Sequence, residues 1–450
     1  MNAGQTAQTV QIMRVLQQLC RVTLLRRFIT SLRDDGWRVA TAKAQSYFSM
    51  QRLGSAQTVL RETPTPPQHE AHYFQGIWQQ LAKGQAFHLS MPAIASKRRF
   101  VAIVGDLNLP QCRKYRVEQL ASFWNSQGVT CEFAHFQDLP RVARLMSQAT
   151  HLAEYRLQSN PLTEMLRYEA RRLRLPILYD IDDPLFSISA YETYGNMAAL
   201  DPWMKSHFLT EAPKYLTMMN GADIISVSTP GLAKHASLYC DRPIHVRRNY
   251  ADADTLVSGA RAHQARGGRD GIFRVAFASG SLGHDVDFAQ IASPVERFIL
   301  GAPNRRLLLL GHVDRAILSD PVAARTDTVP FSTYDAYLDN LARADCAVMP
   351  LADDAFNQCK SAVRVIDASA ASVPSIVGTV GDLEHMISDG DTGHIARSPE
   401  DWFTCLTALA ADPKQTALIG KAARQNLEAR WSGNETSQII APELIDWVTG

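Results

Sequence analysis

The chain opens with helical spacing and then changes rhythm. Ile12, Val15, Leu16, Leu19 and Val22 recur three or four apart, and the apolar stripe then drifts to Leu25, Phe28, Ile29 and Leu32. That spacing predicts helices, and Thr63-Pro-Thr-Pro-Pro-Gln ends them as a linker. From Phe100 short apolar runs take over, at 100–105, 129–134, 150–155, 176–180, 222–228 and 244–246. Helical stretches separate them, at about 114–126 and 162–173, in a longer section before 222, and from 231. Strands alternating with helices predict right-handed βαβ crossovers and a mainly parallel sheet. The polar, Gly/Arg-rich stretch 258–271 reads as a linker, and the rhythm restarts at 273–278, 306–311, 345–350 and 374–378. Helical sequence runs from about 399 to the end.

The expected architecture is α/β, two Rossmann-like doubly wound domains facing a cleft, with a basic helical extension in front. Its boundaries fall at 1–95 for the extension, 96–250 for the first domain, 251–271 for a linker, 272–432 for the second domain and 433–450 for a C-terminal helix. Ligands of such sheets bind beside the carboxyl ends of the strands.

Composition narrows the setting. Seven scattered cysteines, none in a CxxC pair, argue against a disulfide framework or a zinc site and for a reducing compartment. No apolar run reaches the roughly 18 residues of a membrane span, and Met1-Asn-Ala-Gly-Gln is no secretory signal, so a cytoplasmic protein is expected. Residues 1–100 carry thirteen Lys or Arg against four Asp or Glu, whereas the remainder carries 33 against 41. The basic part suits an anionic membrane face or an acidic protein partner. A helical pair covering the next domain is the other reading of residues 1–95. Nucleic acid is not expected, because no binding motif accompanies the charge. Phosphate-loop, HExxH, GxSxG and kinase motifs are absent.

Several runs together resemble the GT-B glycosyltransferases of family four, in a bacterial branch associated with surface polysaccharides. They are Pro110-Gln-Cys-Arg-Lys-Tyr-Arg-Val, Tyr179-Asp-Ile-Asp-Asp-Pro-Leu-Phe, Val227-Ser-Thr-Pro-Gly-Leu, Arg248-Asn249 and Phe277-Ala-Ser-Gly-Ser-Leu-Gly-His-Asp-Val-Asp-Phe. The most specific is Pro350-Leu-Ala-Asp-Asp-Ala-Phe-Asn-Gln-Cys-Lys-Ser, followed by Asp389-Gly-Asp-Thr-Gly. The resemblance covers about residues 98–430. It implies retaining transfer of a sugar from a nucleotide-diphosphate donor, held mainly by the second domain, to a glycan or lipid-linked acceptor, without a cofactor. A catalytically silent GT-B module that binds nucleotide or glycan within a larger assembly is the alternative. The family's two glutamates eight apart align with Cys359 and Asp367, so the first acid is missing and the second shortened.

A leaving diphosphate gains negative charge, and a metal-free site must meet it with cations, N–H groups and helix N-termini. Lys360 and Ser361 are expected in the first turns of a helix, with Arg364 a turn later on the same face. Asp367 follows on that face, to hold a ribose hydroxyl pair or to orient Arg364. A salt-bridged, solvated helix face is the other account of this spacing, and the Phe356-Asn357 lead-in favours the site. Gly280, Ser281 and Gly283, directly after a strand, let backbone approach phosphate, with His284 and Asp285 alongside. His284 either bonds phosphate or caps a helix. On the opposite wall Asp182 or Asp183 faces acceptor hydroxyls or the reacting sugar, or else caps a turn before Pro184. Asp180-x-Asp182 also fits the metal-binding DxD of single-domain GT-A enzymes, against which the second βαβ series counts. Arg156 and Asn249 are further cleft candidates.

Overall fold

The computed structural model describes residues 98–450 apart from 268–269, 281–282 and 434–437, and before them residues 25, 28–30, 32–33, 36–38, 40–41 and 44–45, all helical. Most of the basic segment 1–95, with its expected surface-docking helices, lies outside the described residues. The chain divides into two compact units, Met1–Ile77 and Trp78–Gly450. Both sheets belong to the second.

The first sheet has six parallel strands in the order β2-β1-β3-β4-β5-β6. They are β1 (Phe100–Gly105), β2 (Thr130–His135), β3 (His151–Tyr155), β4 (Ile177–Ile181), β5 (Ile224–Val227) and β6 (Ile244–Val246). Every residue of β1, β3, β4 and β5 is buried, as continuous apolar runs require when helices cover both faces. Local chemistry sets the crossovers. Helix Pro161–Arg172, for example, starts at a capping box in which Asn160 and Thr163 satisfy each other's backbone, with Pro161 at the first helical position.

The second sheet is also parallel, in the order β12-β11-β10-β7-β8-β9. Its strands are β7 (Phe273–Ser279), β8 (Arg305–Gly311), β9 (Thr326–Val329), β10 (Cys346–Met349), β11 (Ser375–Val377) and β12 (Gly393–Ile395). β9 and β12 carry no apolar run and pair only on one side, so the hydrophobic pattern misses them.

The expected linker is corrected by the structure. Within 251–271 lies helix Ala253–Ala265, packed against helix Val363–Ala370 of the second half. A Cβ on Gly259 would sit 2.3 Å from the Ala370 carbonyl, so small residues that read as linker composition are there for close helix contact. The chain crosses instead at 247–251, where Arg247 bridges Ile440 and Ala251 bridges Ser432. Helix Pro442–Thr449 then returns to the first sheet, burying Leu444 and Val448 with Val101, Ile103 and Leu178.

Candidate functional site

In the second sheet the order of connection reverses between β7 and β10. The loops leaving such a pair diverge and open a crevice. After β7, a Cβ on Gly280 would meet nothing within 4 Å. Gly283 has φ +98°, and a Cβ there would lie 2.8 Å from the Asn196 carbonyl of the first half, so glycine is required. Ser281 lies outside the described residues. His284 precedes the short helix Asp285–Ala289, and its Nδ1 lies 2.6 Å from Asp287 Oδ2. Burial holds the imidazole pKa below its usual value; Asp287 opposes this, while Arg364 and Lys360 add to it. Asp285 accepts from the Asp314 N–H at 3.1 Å.

The loop after β10 passes a 3-10 turn, Asn357–Cys359, before helix Val363–Ala370. Lys360 and Ser361, expected in the first turns of this helix, precede it. The Lys360 carbonyl accepts from the Asp382 N–H at 3.0 Å, which leaves its backbone extended. Asn357, expected to touch the donor, is completely buried. Its Nδ2 donates to Asp354 at 3.0 Å and to Asp287 and the Ala352 carbonyl at 3.1 Å each, so it pins the loop. Arg364 is half-buried in the first helical turn and makes no hydrogen bond or ion pair with the described residues. Burial lowers its pKa, against the pull of Asp287.

Asp367 is buried, and its Oδ1 accepts from Tyr115 and Tyr334 hydroxyls at 2.8 Å each. Burial raises its pKa to about 6 despite these donors and nearby Lys114. In place of an open ribose contact, the structure has a junction, because Tyr115 comes from the first half. Lys114 lies 4.1 Å from the Tyr334 ring centroid in the same seam.

On the first-half wall, Asp180 ends in a buried ion triad. Arg116 donates to its two oxygens at 2.9 and 2.7 Å, and Arg247 approaches at 3.2 Å. Burial would raise the Asp180 pKa, but the two guanidiniums hold it below the usual carboxylate value. Both oxygens are therefore occupied, and the DxD alternative loses its first carboxylate. Asp182 accepts from the Tyr155 hydroxyl at 3.2 Å and lies 3.7 Å from Arg156. Arg156 has φ +51°, an uncommon backbone for arginine, at the point where the first sheet reverses between β1 and β3. Asp183 pairs with Lys360 across the cleft at 3.3 Å. Burial acts to lower the Lys360 pKa, yet Asp183 and Tyr194 hold it above its ordinary value. Asn249 accepts from Arg116 at 3.2 Å and donates to Ser361 at 3.0 Å, joining the halves.

The structure thus gathers His284, Lys360 and Arg364 within range of one another's charge, with Lys360 paired to Asp183, and Asp182 next to it near Arg156. Asp285, Asn357 and Asp367 are engaged elsewhere. Sequence reasoning missed Asp287, Asn196, Tyr115, Tyr334 and the pair Arg116–Arg247. Asp287 and Arg116 stand within runs that carry the family resemblance, three residues after His284 and at the end of the 110–117 run. For Asn196 and Tyr334 the sequence offers no signal.

No protein-family model matches the chain. A D-inositol 3-phosphate glycosyltransferase of Rhodococcus jostii (strain RHA1) is 28% identical over 109 residues. The match spans 24% of this chain and 23% of that relative, about a quarter of each. Among solved structures, sucrose-phosphate synthase from Thermosynechococcus elongatus superposes with a TM-score of 0.50 at 15% identity, covering 78% of this chain and 98% of that one. Anabaena HepE in complex with UDP-glucose superposes with a TM-score of 0.50 at 13% identity, covering 77% and 99%. At these identities the likeness is one of fold, and the fold is GT-B. Among the described residues, no helix is long and apolar enough to cross a membrane.

Proposed function

We propose that the protein is a glycosyltransferase that moves a sugar from a nucleotide-diphosphate donor to a glycan or lipid-linked acceptor in surface polysaccharide synthesis. The observation that carries this is Arg364, a half-buried guanidinium with no hydrogen bond or ion pair among the described residues, at the start of a helix whose N-cap, Ala362, offers no side-chain cap. First-turn N–H groups and a free cation are what a diphosphate seeks. Lys360 adds a second charge, at the cost of loosening its pair with Asp183. The acceptor oxygen attacks the anomeric carbon as the bond from that carbon to the diphosphate oxygen breaks. The bond's electron pair leaves with the diphosphate, which Arg364 and Lys360 stabilise. Approach on the leaving-group face, with the acceptor proton passing to the departing phosphate oxygen, gives retention. Asp182 and Asp183 then orient acceptor or sugar hydroxyls.

Calorimetric titration with UDP, GDP, ADP and dTDP, followed by donor hydrolysis and transfer, tests this reading. Arg364→Ala should weaken nucleoside-diphosphate binding by about 1.5–3 kcal/mol, the range of a charge-assisted hydrogen bond. Lys360→Ala should cost less, because in the wild type Lys360 gives up part of its pair with Asp183 to meet the diphosphate. Unchanged affinity in both, with intact circular dichroism, takes this helix out of the site. Binding without hydrolysis or transfer would instead select the catalytically silent module, a reading that the tyrosine-engaged Asp367 favours.

In the same reading residues 1–95 hold the cleft against an anionic membrane face or an acidic partner. Each engaged cation contributes about 1 kcal/mol near such a surface, and salt weakens it. Full-length protein that never floats with anionic liposomes at low salt rules out the lipid.

A further inference from the structure

The His284–Asp287 pair fixes what His284 can recognise. Asp287 is completely buried and lies at the meeting point of three segments. Its Oδ1 accepts from the Ala352 N–H at 2.8 Å and from Asn357 Nδ2 at 3.1 Å, which lock the loop after β10. Its Oδ2 takes His284 Nδ1 at 2.6 Å and Asn196 Nδ2 at 3.2 Å. These donors, with the imidazole, hold the Asp287 pKa low even though burial acts to raise it.

An ionised carboxylate only accepts, so the proton in the 2.6 Å contact sits on His284 Nδ1. Asn196 cannot alter that assignment. Its Nδ2 also lies 3.3 Å from His284 Nδ1, but its two hydrogens are used by the Tyr194 hydroxyl at 2.8 Å and by Asp287. Two donors therefore crowd one acceptor. With Nδ1 protonated, a neutral ring leaves a lone pair on Nε2. Burial and the neighbouring charges of Arg364 and Lys360 disfavour the protonated ring, against the pull of Asp287. Among the described residues Nε2 has no hydrogen-bond partner, and it is not among the sealed, unsatisfied atoms.

A lone pair cannot donate to a phosphate oxygen. Its complement is a hydroxyl. The position agrees, because His284 touches Asn196 of the acceptor-side half and lies near enough to Arg364 and Lys360 to feel their charge.

We infer that His284 is a specificity-determining contact that accepts a hydrogen bond from a hydroxyl of the donor sugar through Nε2, and that Asp287 is the positioning residue that holds it in that tautomer. This rests on the proposed function and replaces the phosphate contact expected for His284.

Two measurements test it on the full chain. Nitrogen-15 spectra of histidine-labelled protein at pH 7 should show His284 protonated at Nδ1 and bare at Nε2; a proton on Nε2 overturns the inference. Titration of wild type and His284→Ala with UDP and UDP-glucose, and with GDP and GDP-mannose, should leave nucleoside-diphosphate affinity within about twofold while nucleotide-sugar affinity falls about tenfold or more. Equal loss for both ligands of a pair returns His284 to the phosphate, and no loss for either removes it from the site. Wild type that binds no nucleoside diphosphate, ADP and dTDP included, sinks the proposed function and this inference together, whereas binding without the split sinks only this inference. Asp287→Asn is the positioning test. Its amide can donate to Nδ1 and so shift the proton to Nε2, which should abolish the sugar-specific gain, read as the ratio of nucleotide-sugar to nucleoside-diphosphate affinity. Should that variant not fold, the spectra and His284→Ala still decide.

Discussion

Two buried carboxylates, Asp180 and Asp367, are reached by adjacent residues of one short element and meet opposite fates. The π-helical turn Lys114–Glu118 sends Arg116 to Asp180 and Tyr115 to Asp367. Asp180 is compensated by two guanidiniums and held ionised below its usual pKa, whereas Asp367 has only hydroxyl donors and is pushed up to about 6. Hydrogen bonds alone do not replace a countercharge in a buried place. One consequence is a division of labour. The Asp180 triad ties the 110–118 segment to the chain crossing at Arg247, and the Asp367 cluster ties the same segment to the helix that carries Arg364. A π turn, which displaces the following residues around the helix axis, lets consecutive side chains serve both.

The comparison breaks most severely at Arg116. Arg116→Met leaves Asp180 with Arg247 alone and strips a donor from the Arg247 carbonyl and from Asn249. Removing one partner of a buried ion set typically costs about 3–5 kcal/mol, and urea denaturation should show that loss at neutral pH. A loss under about 1 kcal/mol would mean that Arg247 compensates Asp180 unaided, and that the contrast between the two carboxylates is not one of charge.

Much of this architecture was legible in the sequence, and the illegible parts have a common cause. β1, β4, β7 and β8 announce themselves because burial on both faces demands unbroken apolar runs. β9 and β12, at the sheet's edges, face no such demand. Helix Ala253–Ala265 reads as linker because the closeness of its partner selects glycine and alanine over large apolar residues. Among site residues, Lys360, Arg364 and His284 are found through motif and charge. Their surroundings are not, since Asn196 meets His284 from 88 positions away and Tyr115 meets Asp367 across 252. Spacing along one element predicts which residues share a face; it says nothing of which hydroxyl arrives from another domain. Asp367 was therefore open to a ribose reading, although in the fold its oxygen is already taken.

The second carboxylate sharpens the comparison through pH. Asp367 has a folded pKa of about 6, above the ordinary 3.8, so the folded protein binds this proton more tightly than the unfolded chain. Its contribution to stability is complete below pH ~4 and is lost as pH rises through about 6, a total of about 3 kcal/mol for a shift of about two units at about 1.4 kcal/mol each. Asp180 has the opposite sign, contributing above the usual carboxylate range and losing that contribution as pH falls. Asp367→Asn keeps a side-chain oxygen for Tyr115 and Tyr334 but cannot titrate. Groups common to both proteins, including His151, whose burial lowers its pKa to about 4, cancel in the difference. The stability of the variant minus that of wild type should therefore climb by about 3 kcal/mol between pH 4 and 7 and stay level above it. A difference that stays flat from pH 4 to 7 would show that Tyr115, Tyr334 and Lys114 compensate the carboxylate as fully as arginine does, and the distinction between the two junctions would fall.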